Sequence, residues 1–373
     1  RHSGKISRLF CLRVHTISEK LLIMITDRLS LKTVASLLAL LLVPFTSHAD
    51  ELFGTIGDTV IEAGETRVTG DVTVGLNSTV TIEPGAKLVF DGPFSLTVNG
   101  FLQAEGTASD PVIFTSNSVR PAAGDWGQIH FKNVSASSSA STLDHVVVQY
   151  ASTGIKTESG SMFGETLKVS NTTIQNVSET GISVSDTLLE LNGDVTIRDF
   201  GSYGIYVTGG PAETTVANVK IEQTGSRIRS GSCVRVQDGA MLEMTGSIVQ
   251  RCGVGIDVRQ RNGRDIPQQI VATGNKITGN NIGIRVRPQS SPRSGARYPS
   301  QFEVTGNTIA GNVDYELAIY EGTYAESTEL NVTGNWWGTR DRVTIAERIR
   351  DQNDDDGSAL AKFTPYMESE NLF

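Results

Sequence analysis

The sequence predicts an all-β chain folded as a single-stranded parallel β-helix, a solenoid whose short strands stack rung upon rung. Three observations carry this. With 38 glycines and 6% aromatics in 373 residues, and with Val, Ile, Thr and Asn recurring ahead of the strong helix formers, the composition favours strands and turns. A small residue, an aliphatic and then alternation recur at nearly regular spacing, which is the pattern of a repeat. Each copy is too short to bury its own apolar face, so the copies must stack. Charged residues make up 20% without long blocks, and β-branched residues run throughout, which excludes a disordered chain.

Taken in order, residues 1–23 begin with Arg1, show no periodicity and read as upstream, non-native sequence. Residues 24–49 read as a signal peptide. Arg28 and Lys32 give a basic start, the apolar run VASLLALLLVPF (34–45) follows, and Ser47-His48-Ala49 supplies small residues at a cleavage site. That run is shorter than the roughly 20 residues a membrane span needs. The expectation is an exported chain starting near Asp50, periplasmic, cell-surface or secreted, with no transmembrane segment. Cys233 and Cys252 remain; in an oxidising compartment they could pair, or they could be two small buried residues, and their spacing leaves both open.

The charge is uneven. The whole chain is −9, and residues 1–49 hold seven Lys or Arg against two Asp or Glu, so residues 50–373 carry −14. Residues 225–300 nevertheless hold twelve basic against four acidic residues. Export and the acidic total argue against a nucleic-acid partner.

The repeat appears as TGIKT (153–157), TGISV (180–184), YGIYV (203–207), SCVRV (232–236), VGIDV (254–258) and IGIRV (282–286). It aligns Ile155, Ile182, Ile205, Val234, Ile256 and Ile284, at separations of 27, 23, 29, 22 and 28 residues. A second aliphatic register precedes it at Ile174, Ile197, Ile248, Ile277 and Ile309, with Ile221 set further back by the loop-like GSRIRSG (225–231). The turns VATGNKI, EVTGNTI and NVTGNWW place Asn275, Asn307 and Asn335 above one another, predicting a ladder of side-chain amides. Residues 50–75 read as irregular strand material. Trp336 and Trp337 are expected to plug the last rung, and Val343, Ala346 and Ile349 to form the apolar face of a short helix covering it.

Beyond periodicity, the stretches STVTIEPGAKLVFDG (78–92), SLTVNGFLQAEGTASDPVIFTS (95–116), GDWGQIHF (124–131), STLDHVVVQYASTGI (141–155), GNWWG (334–338) and the DDDGSALAKFTPY end (354–366) resemble exported right-handed parallel β-helix proteins of the pectin-lyase-like superfamily. The resemblance implies a right-handed β-helix over 50–338, a C-terminal cap and acidic turn over 339–373, and a bacterial envelope or secreted setting. It implies no particular activity, because many members that share these stretches have no established catalysis.

The hydrolases of this fold carry Asn-Thr-Asp, Asp-Asp, Gly-His-Gly and Arg-Ile-Lys, and none of these occurs before the cap. The Asp-Pro-His of epimerases is also absent. His130 and His145 sit among alternating apolar residues and read as outward-facing strand histidines. No Ser/His/Asp cluster, zinc spacing or phosphate-binding glycine loop is present.

The basic segment is the functional lead. Arg235, Asp257 and Arg285 occupy the first outward position after the aligned aliphatic on consecutive rungs, and Arg259 and Arg287 the second. With rungs about 4.8 Å apart, these five residues are expected to form one exposed patch, with Arg261, Arg264, Arg293 and Arg297 on the loops at its edge. Three readings stand. The patch binds an anionic polysaccharide or another cell-envelope component through guanidinium–carboxylate pairing; it is a solvated face with Asp257 paired to its arginines; or it serves a lyase acting on uronate polymers. The leading expectation is a non-catalytic exported binder, with the polysaccharide lyase as the alternative. No cofactor is expected, except that Asp351, Asn353 and Asp355 alternate as in a calcium loop, with Asp356 where such a loop needs glycine.

Overall fold

The computed structural model describes residues 50–132, 140–158, 166–209, 213–225, 229–260, 269–288, 301–321 and 328–370. Their strands join in one continuous parallel ladder. The predicted alignment is the observed register: Ile155 pairs with Ile182, Ile182 with Ile205, Ile205 with Val234, Val234 with Ile256 and Ile256 with Ile284. The column extends to Ile129 before it and to Leu317 and Ile349 after it. All of these side chains are buried, and together with the second register they build the core. Trp126 stacks on Phe90 at 4.1 Å and donates from Nε1 to the Gln149 carbonyl at 2.8 Å.

The small residue before each aliphatic has a steric cause. A Cβ on Gly181 would stand 2.5 Å from Ile197 Cγ2 and 2.6 Å from the Gly204 carbonyl oxygen. The carbonyl belongs to the next rung and has no room to retreat. Gly181→Ala is therefore expected to lower stability by about 1–3 kcal/mol, read from the urea midpoint. An unchanged midpoint would show that stacking does not dictate this column.

Two expectations are corrected and one, that of residues 50–75, is narrowed. Val249, not Ile248, pairs with Ile221 and Ile277, and Ile248 lies opposite Lys276 on the outward side. A one-residue shift exchanges the two faces of a strand, and two adjacent β-branched residues gave no means of choosing. Residues 50–75 are strands of the ladder: Asp50–Ile56, Thr59–Ile61 and Gly64–Val74 pair in parallel, and a register shift between Leu52 and Gly54 is the irregularity they contain. Their inward positions follow a period of two through Val72 and Val74 without the small-residue element. The helix forms at Arg342–Glu347, capped by the Asp341 side chain accepting from the Thr344 N–H, but its buried residue is Ile345, and Val343 and Ala346 are exposed. Ile345 and Ile349, four apart, share the inward side.

Trp337 is buried and Trp336 bridges to Thr308. Parallel pairing continues beyond Gly338, through Ile349–Arg350 and Leu360–Lys362. No helix among the described residues is long and apolar enough to cross a membrane. Residues 1–49 lie outside the described residues, as do residues 226–228 of the GSRIRSG stretch.

The asparagine ladder is present. Asn275 Nδ2 donates to Asn307 Oδ1 at 3.0 Å, and Asn307 Nδ2 donates to Asn335 Oδ1 at 3.0 Å. Each carbonyl also accepts the backbone N–H of the rung before it, at 2.8–2.9 Å. A second ladder, unread in the sequence, runs from the Cys252 N–H to Asn280, Asn312 and Glu316. Its signal was the Asn that follows the second register in ITGN and IAGN.

Candidate functional site

Strand alternation fixes which residues face outward. The register places Tyr206, Arg235, Asp257 and Arg285 in one column and Thr208, Gln237, Arg259 and Arg287 in the next. All five predicted residues therefore share one face. Neighbouring rungs are close enough for side chains to reach one another, and here a short carboxylate lies between long guanidinium arms.

The arms fold onto that carboxylate. Arg285 grips Asp257 with both Nε (2.9 Å) and Nη2 (3.0 Å). Arg235 donates to it from Nε at 3.1 Å and again from Nη2. Arg287 adds two longer contacts of 3.4 and 3.3 Å. The patch is thus not fully exposed, which corrects the expectation. The Asp257 side chain is 0% exposed and those of Arg235, Arg285 and Arg287 are 8, 19 and 31% exposed. Alternation gives a side chain's face but not whether its neighbours will cover it, and arginine stems readily do so.

Burial alone would raise the Asp257 pKa. Hydrogen bonding and charge from Arg285, then the charges of Arg235 and Arg287, outweigh it and hold the carboxyl well below the usual carboxylate range. Asp257 is thus an ionised counter-ion and unsuited to act as a general base near neutral pH. Burial, followed by the charges of Arg287 and Arg235, lowers the pKa of Arg259. A second carboxylate, Asp238, is buried beside the cluster and accepts from Gln237 Nε2 at 2.9 Å. Four guanidiniums therefore face two carboxylates, leaving the cluster cationic.

Tyr203 and Tyr206 contribute what the sequence reading missed. Arg235 lies 4.6 Å over the Tyr203 ring and donates from Nη1 to its hydroxyl at 2.9 Å. The two tyrosine rings stack at 5.3 Å. The signal was present in YGIYV, whose outward positions are both tyrosine one rung before Arg235. Arg261, Arg264, Arg293 and Arg297 lie outside the described residues.

Two family models match the chain: right-handed β-helix region over residues 153–336, and pectate-lyase-like β-helix domain over residues 54–163. Together the two models span residues 54–336, and the chain has the right-handed parallel β-helix fold. Among solved structures, it is similar to the A-module of Azotobacter vinelandii mannuronan C-5 epimerase AlgE4, at a TM-score of 0.34 and 14% identity, covering 72% of this chain and 89% of that one. Comparison with curated proteins gives no significant match.

In this β-helix the acidic turn holds itself together. Asp351 is buried; its Oδ1 accepts from the Asn353 N–H and Nδ2 at 2.9 and 3.0 Å, and its Oδ2 from the Ala361 N–H at 2.9 Å. Asp355 lies 3.6 Å from Arg350. These oxygens serve donors of the chain and do not converge on a cation. Among the described residues no group of three or more His, Cys, Asp or Glu is placed to hold a metal ion.

The histidines are also engaged. His130 is largely covered and lies 3.1 Å from Glu158, and His145 pairs with Asp144 at 2.9 Å. Cys233 and Cys252 form a disulfide, Cα atoms 5.6 Å apart, joining the strand of Arg235 to that of Asp257. Closing a 19-residue separation is worth about 3 kcal/mol in the chain-entropy account.

Proposed function

We propose that this β-helix protein is a non-catalytic, exported binder of anionic polysaccharide, with Arg235, Arg259, Arg285 and Arg287 forming its contact face around the buried Asp257. The observation that carries this reading is the excess of guanidinium over carboxylate on one face. Asp257 preorganises three arginines, so little side-chain entropy is lost when Arg285 and Arg287 turn their remaining N–H groups to a ligand carboxylate or sulfate.

Export is supported by the disulfide, which persists in oxidising compartments, and by the apolar run within 24–49, read as a signal peptide. Residues 339–373 are read as the cap of the solenoid, following 50–338. In support, Ile345 and Ile349 are buried and Arg348 donates to the carbonyls of Val313 and Asp314.

One observation favours the lyase alternative: the pKa of Arg259 is lowered by burial and by its cationic neighbours, the direction an arginine base requires. Incubation with a panel of polyuronates separates the two readings. The binding reading expects salt-sensitive retention on the polymers and no growth of unsaturated-uronate absorbance. Appearance of that absorbance, and its loss in Arg259→Ala, would replace the binder with a lyase.

A further inference from the structure

The column that carries Arg235 and Arg285 runs back through the solenoid, and earlier rungs of it carry a second cationic cluster. Parallel register aligns His130 with Lys156, Lys156 with Ser183, Ser183 with Tyr206 and Tyr206 with Arg235. On those rungs, Lys156 lies 3.4 Å and His130 3.1 Å from Glu158. Lys132 is exposed on the same strand as His130. The two lysines outnumber the one glutamate, and the Lys156 and Glu158 side chains keep 35 and 49% exposure, so this cluster meets solvent.

Between the clusters the column presents Ser183 and Tyr206, and the neighbouring column Ser185 and Thr208, all partly buried. A floor of hydroxyl groups between two basic ends suits a chain of sugars bearing acid groups better than a bare polyphosphate. Ser185 bonds to Asp186 and Thr208 to Asp238, so carboxylates border that neighbouring column. An anionic chain is thereby directed over the first column, in which no exposed carboxylate occurs from His130 to Arg285.

We infer that Lys132, His130 and Lys156 form a second anchor for the same acidic polysaccharide, so that the face measures ligand length. This rests on the binding reading proposed above. Six rung steps separate His130 from Arg285, about 29 Å at 4.8 Å per step. Oligomers shorter than that span engage one anchor, and longer ones engage both, the second as an intramolecular event.

The test titrates the whole chain with size-fractionated oligouronates, from disaccharides upward. Affinity is expected to rise by about tenfold, the worth of two exposed ion pairs, once the oligomer spans both clusters. The double variant Lys132→Ala/Lys156→Ala should lose that gain, bind the short oligomers as wild type does and keep its thermal midpoint. Lys156→Arg should keep the gain. Short-oligomer binding with no rise at any length, or a rise that survives the double variant, overturns the second anchor alone. Absence of binding at every length overturns the binding reading and this inference with it.

Discussion

Replacing Asp257 with alanine is expected to lower stability by about 3–5 kcal/mol, the cost of removing one partner from a buried ion cluster. Three guanidiniums from the two rungs that flank Asp257 would then face one another without the carboxylate that Arg285, Arg235 and Arg287 now share. The denaturant midpoint measures the loss. Sodium formate should recover part of it in the variant, because a free carboxylate fits the gap left between three arginines, and should do little for the wild type. Equal midpoints with and without the side chain would mean that the arginines hold their places unaided.

The pH dependence has a definite sign. The folded pKa of Asp257 lies below its unfolded value, so its stabilisation is complete above the unfolded carboxylate value near 3.9 and is lost as pH falls through the folded value. The gap between wild type and Asp257→Ala should hold from neutrality down to about pH 4 and close below it.

The second large effect is expected at Asn307. Its Oδ1 accepts both the backbone N–H of Asn275, at 2.8 Å, and Asn275 Nδ2, at 3.0 Å, and both asparagines are fully buried. Its own Nδ2 donates to the Ala272 carbonyl at 2.8 Å. Alanine would leave two buried donors of Asn275 without this acceptor, at about 1–3 kcal/mol for each. A total loss of about 2–6 kcal/mol is expected by urea unfolding, with faster hydrogen exchange at the Asn275 amide. Unchanged exchange there would mean that the ladder is not what protects this corner.

Much of this was legible in the sequence, and the gaps have physical causes. The column from Ile155 to Ile284 could be aligned because stacking excludes a Cβ before five of its six aliphatics, with Cys233 before Val234 the exception, leaving a pattern that varies little while turn lengths vary freely. Ile248 was assigned to the wrong face because Val249 is equally apolar, and only the neighbouring rung decides between them. The first turns were read as irregular throughout because they pack without the small-residue element, whereas their register shift is confined to Leu52–Gly54. At the candidate site, alternation correctly placed Arg235, Asp257 and Arg285 on one face. It could not show that Asp257 is covered, because cover depends on where the arginine arms fold in three dimensions. Tyr203 was passed over because its partner, Arg235, lies on the next rung and many residues away in the chain.

Arg287 offers the most direct test of the central claim, since it makes the loosest contacts to Asp257, at 3.3–3.4 Å, and is the most exposed of the three arginines that hold it. Arg287→Gln should therefore disturb the cluster least while removing one cationic contact. The measurement is the affinity of wild type and Arg287→Gln for one defined oligouronate at low and at high salt. Weaker binding by the variant is expected at low salt, with a smaller difference at high salt and an unchanged thermal midpoint. Equal affinity of the two proteins at both salt concentrations would contradict a binding role for this face.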